Sequence, residues 1–170
     1  MKYKLDPNEK VCALLSGGKD SVVCSHLCKK KGILKTCIYT KTGTEPEGFS
    51  DAIEDICKKQ DFPLIILKPK PHAFEKYVLT NGFPHVPVHW QIMRELKIKP
   101  WEKFERDERN NYGNTTIFAS GVRRNESTRR GKNIGRIIQS TEKGNLTFVK
   151  PIVDMSDYDV LAYLRRYDLP

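Results

Sequence analysis

Val11-Cys12-Ala13-Leu14-Leu15-Ser16-Gly17-Gly18-Lys19-Asp20-Ser21 is the stretch on which the fold turns. Its first five residues, apolar with a β-branched start, read as a buried parallel strand. From Asp20 to Lys31, apolar residues at 23, 24, 27 and 28 keep the spacing of an amphipathic helix, which Gly32 stops. Between strand and helix, glycines let backbone N–H groups point at an anion without steric penalty, and the helix start adds its positive dipole end. Ser16 and Ser21 bring hydroxyl donors and Lys19 a charge for a phosphoryl group. Asp20 can cap the helix, orient Lys19 or help hold Mg²⁺. The Walker A spacing G-x-x-x-x-G-K-[ST] is absent. A plain tight turn needs glycine and one cap, not a lysine and two serines together. A phosphate-bearing ligand is expected here.

Outward from that turn the alternation continues. Lys35 to Thr40 is a second strand, Gly43 to Gly48 a turn-like stretch, Phe49 to about Lys59 a helix, and Pro63 to Leu67 a third strand. Strand and helix in turn build a parallel sheet through right-handed crossovers. Residues 69–113 differ. Prolines at 69, 71, 84, 87 and 100 punctuate helical stretches near 72–80, 90–98 and 101–110, expected to form a lid or flank. Thr115 to Ala119 is a fourth strand ending at Ser120-Gly121. Ile134 to Ser140 and Leu146 to Val149 read as a hairpin or edge pair. Ser156 caps a final helix to about Tyr167, with Asp159 completing a capping box. No repeat or linker interrupts the chain. It reads as one α/β domain over 1–170, three-layer and Rossmann-like, with a mostly parallel five-stranded sheet and a helical insertion at about 69–113.

Composition narrows the class. The 170 residues carry a formal charge of +9, which favours anionic partners such as nucleotides, sulfate or phosphate esters and nucleic acid. No apolar run approaches the ~18 residues of a membrane span, and the first residues lack the apolar core of a secretory signal. A cytoplasmic protein without membrane contact is expected. The five cysteines, at 12, 24, 28, 37 and 57, are odd in number and include no C-x-x-C pair, against a disulfide framework or zinc ribbon. Cys24 and Cys28 read as a core stripe, and His72, His85 and His89 as solvated or lid-packing residues. No metal ligands stand out.

Ser16 to Ser21 resembles the PP-loop of the ATP pyrophosphatase superfamily, also called adenine nucleotide α-hydrolases. Four further stretches resemble its phosphoadenosine phosphosulfate (PAPS) reductase branch. Thr42-Gly43-Thr44-Glu45-Pro46-Glu47 is similar to T-G-x-E-x-P-E, one residue shorter. Arg94-Glu95-Leu96-Lys97-Ile98-Lys99-Pro100 is similar to R-x-L-K-x-x-P. Gly121-Val122-Arg123-Arg124-Asn125-Glu126-Ser127-Thr128-Arg129-Arg130 is similar to G-x-R-R-x-E-S-x-x-R. Pro151 to Ser156, followed by Asp159-Val160, is similar to P-I-x-D-W-T-x-x-D-V.

The resemblance implies an adenine nucleotide, ATP or PAPS, lying across the carboxyl ends of the strands where their order reverses. Leu14, Leu15 and the backbone near Tyr39 and Thr40 would border the adenosine. Thr42, Gly43 and Glu45 would line the pocket. Glu45 either reaches a ribose hydroxyl or a metal-bound water, or stands as a solvated acid. Gly121, Arg123, Arg124 and Arg130 would form a second anion-binding element, since guanidinium groups fork onto phosphate or sulfate oxygens. Arg123 and Arg130 are the expected ligand contacts, with Arg124 or Arg129 facing solvent or another chain. Glu126 and Arg130 are also spaced to pair on a helix surface. Lys19, Asp20 and Arg123 are the catalytic candidates, with Mg²⁺ as an optional companion of the nucleotide.

Two departures shape the reaction. Sulfonucleotide reductases carry a catalytic cysteine in a C-terminal tail, whereas no cysteine follows Cys57 here. Their iron–sulfur variants need paired cysteines near R-x-L-K, where this chain has His89-Trp90-Gln91-Ile92-Met93, so no iron–sulfur cluster is expected. The loop, by contrast, is the intact form, which favours ATP, adenylyl transfer and pyrophosphate release. Four readings stay open: a PAPS reductase family enzyme acting in sulfur transfer or sulfonucleotide metabolism, an ATP-dependent adenylyltransferase or thiolation enzyme, a sulfur-modification subunit acting on nucleic acid, and a non-catalytic nucleotide-binding subunit needing a partner. The partners expected are the nucleotide, a sulfur donor or thioredoxin-like protein, and a second copy of the chain, with nucleic acid secondary.

Overall fold

Short apolar runs bounded by turn residues each form a strand that feeds a helix. A computed structural model describes residues 9–84, 89–113, 115–124, 137–140 and 146–170. The first half comprises β1 (Val11–Leu14), α1 (Lys19–Lys30), β2 (Leu34–Thr40), α2 (Phe49–Gln60) and β3 (Leu64–Leu67). Then come α3 (Ala73–Asn81), α4 (His89–Met93), a π-helical turn (Arg94–Ile98) and α5 (Lys99–Tyr112). The last part is β4 (Ile117–Ala119), β5 (Ile137–Ser140), β6 (Leu146–Val149) and α6 (Asp157–Arg166).

The strands form one sheet in the order β3-β2-β1-β4-β6-β5. Five of them, β3, β2, β1, β4 and β6, run parallel, and the sheet has one strand more than the mostly parallel five expected. β5 adds a sixth at the edge, antiparallel to β6, with Ile138 opposite Phe148. This is the edge pair read from the sequence. Alternate residues of each strand serve opposite faces. Val11, Ala13 and Leu15 join Val22, Val23, Cys24, Cys28 and Val160 in the larger core, beneath α1, α2 and α6. Cys12, Ile38 and Phe118 face the other way and pack with Trp101 and Phe104 of α5. Helix, sheet and helix make the three layers.

The two helical stretches expected at 90–98 and 101–110 are one continuous run from His89 to Tyr112, widened in its middle by the π-helical turn. Pro100 supplies the cause. Its nitrogen carries no hydrogen for the Leu96 carbonyl, and its ring crowds that carbonyl, so the preceding turn opens by one residue. At the C-terminal helix the expected capping box is present. The Ser156 Oγ accepts from the Asp159 N–H at 3.1 Å, and the Ser156 N–H donates to the Asp159 carboxylate at 2.8 Å. No helix among the described residues is long and apolar enough to cross a membrane.

Candidate functional site

The chain runs outward from β1 through β2 to β3 and then returns to the other side of β1 at β4, so a crevice opens beyond the carboxyl ends of β1 and β4. A cleft of about 600 Å³ lies there. Leu14, Leu15, Ser16, Gly18, Asp20 and Ser21 supply its floor, and Tyr39, Thr40, Thr42 and Glu45 one side. Ser120, Gly121 and Val122 close the other side.

The loop at its base is held by its own polar atoms. The Ser16 N–H donates to the Ser21 Oγ at 3.1 Å, and the Ser21 hydroxyl donates to the Gly18 carbonyl at 2.7 Å. Ser21 thus braces the turn, and the Ser16 hydroxyl faces outward. Gly17 has φ +77°, and a Cβ there would stand 2.7 Å from Ile53 Cδ1. Gly121 matters for a different reason: its Cβ would stand 2.7 Å from the Asp20 carbonyl oxygen and 3.0 Å from the Ser21 nitrogen. Only glycine lets the chain after β4 lie against the first turn of α1. Among the described residues, no carbonyl accepts from the N–H groups of Gly17, Gly18, Lys19 or Asp20. These amides, on a helix start with Gly18 as N-cap and no side-chain cap, form an anion-binding surface.

Charges are tightly organised beside it. The Arg123 Nε lies 2.8 Å from Asp20 Oδ1, and its Nη2 donates to Asp157 Oδ1 at 2.8 Å and Asp20 Oδ2 at 3.3 Å. The Arg123 side chain is 2% exposed. Burial works against its charge, but Asp157 and Asp20 outweigh that and raise its pKa. Asp157 is in turn held below its ordinary value by the hydrogen bond from Arg123. The Lys19 ammonium reaches Asp20 at 3.1 Å and Asp157 at 3.6 Å. Two cations and two carboxylates therefore balance. Lys19, more exposed than Arg123, is the one that can turn to a ligand at small cost.

The Thr42–Glu45 loop closes on itself. The Glu45 carboxylate accepts from the Thr42 N–H at 2.6 Å, the Thr42 hydroxyl at 2.7 Å and the Gly43 N–H at 2.8 Å. Burial opposes the Glu45 charge, but these donors prevail and its pKa is lowered. Glu45 is thus neither a solvated acid nor one extended into the cleft; it clamps its own loop.

Leu14, Ser16, Gly18, Asp20, Ser21, Tyr39, Thr42, Glu45 and Gly121 line the cleft, whereas Gly17, Lys19, Gly43, Arg123 and Arg124 stand behind or beside its lining. Arg124 donates from Nε to Asp154 at 2.8 Å. Arg130, with Glu126 and Arg129, lies outside the described residues, as does His85. His72 meets Glu75 at 3.9 Å on the surface, and Cys24 and Cys28 are buried in the core.

The lid adds residues that the loop-centred reading passed over. Met93, Lys97 and Trp101, each four positions apart, line the cleft from above. The Trp101 indole N–H donates to Thr40 Oγ1 at 2.8 Å, tying α5 to the end of β2. Lys97 lies in the R-x-L-K stretch, so its signal was present.

Two curated relatives match. The tRNA-specific 2-thiouridylase MnmA of Desulfosudis oleivorans is 39% identical over 59 residues, 35% of this chain and 16% of that protein. Protein MJ0973 of Methanocaldococcus jannaschii is 28% identical over 165 residues, 95% of this chain and 37% of that one. The chain therefore spans well under half the length of either. Among solved structures, the PAPS reductase of Candida auris in its phosphate complex superposes with a TM-score of 0.63 at 16% identity, covering 95% of this chain and 74% of that one. The U34-tRNA thiolase NcsA of Methanococcus maripaludis, with its [4Fe–4S] cluster, gives 0.57 at 17%, covering 95% and 57%.

That last likeness corrects one expectation. A chain of this fold does carry an iron–sulfur cluster, so the missing cysteine pair near Trp90 does not justify expecting none. Clusters are held by thiolates wherever the fold gathers them, not at one sequence position. Among the described residues, no three His, Cys, Asp or Glu side chains converge for a metal ion. The phosphoadenosine phosphosulfate reductase domain model matches residues 10–170, and the chain belongs to that family of enzymes.

Proposed function

We propose that the chain binds ATP in this cleft and transfers its adenylyl group to an acceptor in sulfur-related metabolism, releasing pyrophosphate. The amides of Gly17 to Asp20, which meet no carbonyl among the described residues, carry this reading at the start of α1. Phosphate on those amides puts the nucleoside along the apolar wall of Leu14, Ile38, Phe49 and Met93. An anionic acceptor oxygen, as of sulfate or a carboxylate, attacks the α-phosphorus. The bond from that phosphorus to the α,β-bridging oxygen breaks, and its electron pair leaves with pyrophosphate. No general base is needed for an acceptor that is already anionic. Loop amides, Lys19 and Lys97 stabilise the charge that develops. Arg123 is a positioning residue, acting through Asp20. Asp20 is the carboxylate that lines the cleft beside the loop and would hold Mg²⁺ brought in with ATP, which when bound would neutralise part of the pyrophosphate charge.

A sulfonucleotide in the same cleft is the second reading, favoured by the family to which the chain belongs. Calorimetric titration with ATP and PAPS side by side separates the two, together with release of pyrophosphate from α-labelled ATP in the presence of sulfur acceptors. Binding of ATP with pyrophosphate release supports adenylyl transfer. PAPS binding without any ATP binding overturns it.

A further inference from the structure

A second cavity, of about 630 Å³, lies between α3 and α4. Its chemistry differs from that of the cleft. Lys70, Lys76 and Arg94 place three cations along it, and Tyr77 and Trp90 supply aromatic surface. The one carboxylate in its lining, Glu95, is already ion-paired with Lys99. Gln91 accepts from the Tyr77 hydroxyl at 3.2 Å, which leaves its amide N–H groups to offer. Trp90 is 57% exposed, and the nearby Leu79 and Phe83 are 88% and 78% exposed. The exposed indole and the cations thus share one lining.

We infer that this groove binds single-stranded nucleic acid, with a base stacked on Trp90 and backbone phosphates on Lys70, Lys76 and Arg94. Unstacked bases on aromatic side chains, with cations tracking the phosphates, are how single strands are held without sequence preference. A duplex keeps its bases stacked on one another and offers none to the indole. A small anion would use the cations but leave the aromatic surface bare. The chain's charge of +9 has the sign this occupant requires.

The position of the groove gives it meaning. Trp90, Gln91 and Arg94 line it, while Met93 and Lys97 of the same helical run line the nucleotide cleft. A strand in the groove is therefore one helix away from the nucleotide cleft. The inference rests on the proposed adenylyl transfer and adds to it a strand-binding surface beside the cleft. Two similar proteins bear names that specify tRNA thiolation, which agrees with it.

Fluorescence anisotropy of a labelled, unstructured single-stranded RNA, with the same sequence as a duplex for comparison, tests the inference. The single strand is expected to bind more tightly, with a log–log salt slope of about −2 for three phosphate contacts. Trp90→Ala is expected to weaken binding by roughly tenfold or more, and Trp90→Phe to keep most of it. Lys70→Ala with Lys76→Ala should reduce the slope by about 1.4. Circular dichroism confirms folding, and ATP binding by Trp90→Ala stays at the parent level. Equal binding of single strand and duplex, or a single strand held as tightly by Trp90→Ala and by the double lysine variant, overturns the proposal. If the parent fails to bind ATP yet holds the strand with these dependences, the adenylyl-transfer reading falls and the groove remains.

Discussion

The floor and the lid of the cleft are built by opposite means. At the floor, Gly121 lies against the Asp20 carbonyl, where backbone excludes a Cβ, and Gly17, at φ +77°, packs beneath the Ile53 side chain. The charges there are sealed by Arg123, 2% exposed, between Asp20 and Asp157. On the lid, one helical run projects Met93, Lys97 and Trp101 at four-residue intervals, half-buried and reaching the ligand space by side chain alone. The floor is therefore a matter of folding, and substitutions there alter stability first. On the lid Lys97 is a matter of binding, and its loss acts on the ligand with the fold intact, whereas Trp101 also packs into the core.

The largest effect belongs to the buried charge of the floor. Arg123→Met removes the cation that faces Asp20, whose side chain is only 14% exposed, and is expected to cost about 3 kcal/mol of stability in urea unfolding. Asp20→Asn on top of it should recover part of that loss, because the stranded carboxylate is then gone. A double variant no more stable than Arg123→Met alone would show that the pair does not hold the floor. Next comes Gly121→Ala. The added methyl meets backbone that cannot step aside, so about 2 kcal/mol is expected, together with weakened ATP binding as α1 shifts. Gly43→Ala, with φ +86° but no atom within 4 Å of its Cβ, should cost less, about 1 kcal/mol of backbone strain.

The same contrast governs what the sequence disclosed. The strand, loop and helix of residues 11–30 and the Ser156–Asp159 capping box are local. Each is set by residues within a few positions, and each forms as expected. The Ser16–Ser21 motif also disclosed an anion site, because its residue types make sense only together. Arg123 was legible as a charged residue beside a strand end, but not as a buried strut. Its partners lie 103 and 34 positions away, and only the packing of α1 against α6 brings them together. Trp101 was hidden in the same way, since an aromatic in an amphipathic helix reads equally as core, and it does pack on Phe118 and Phe148. Lys97 stood inside a recognised stretch and Pro100 explains the turn, yet nothing local says that this turn faces the cleft.

On the lid, Lys97→Ala is expected to weaken ATP binding by about tenfold, the worth of one charge-assisted contact, while leaving the unfolding midpoint unchanged. Calorimetry and urea titration on the same preparation check both halves. A fall in stability equal to the fall in affinity would place Lys97 with the floor instead, and the division between the two walls would fail.

The smallest effect comes from the third wall, where Glu45 folds onto Thr42 and Gly43. Its pKa in the folded chain is lowered relative to the ordinary 4.5, so the folded state binds its proton less readily than the unfolded one. The stabilisation is therefore fully present above pH 4.5 and is lost as the pH falls toward and through the lower folded value. Glu45→Gln keeps the shape and removes the charge that the two N–H groups and the hydroxyl favour. The variant is expected to be a few tenths of a kcal/mol less stable than the parent at pH 7, since the clamp is solvent-screened at the loop surface. The two should converge as the pH falls through the parent's lowered value, where its carboxylate takes up a proton as well. Urea midpoints measured across that range decide it. Curves that stay parallel throughout would mean that the carboxylate charge does not hold the loop, and that the wall owes its shape to Gly43 and the end of β2 instead.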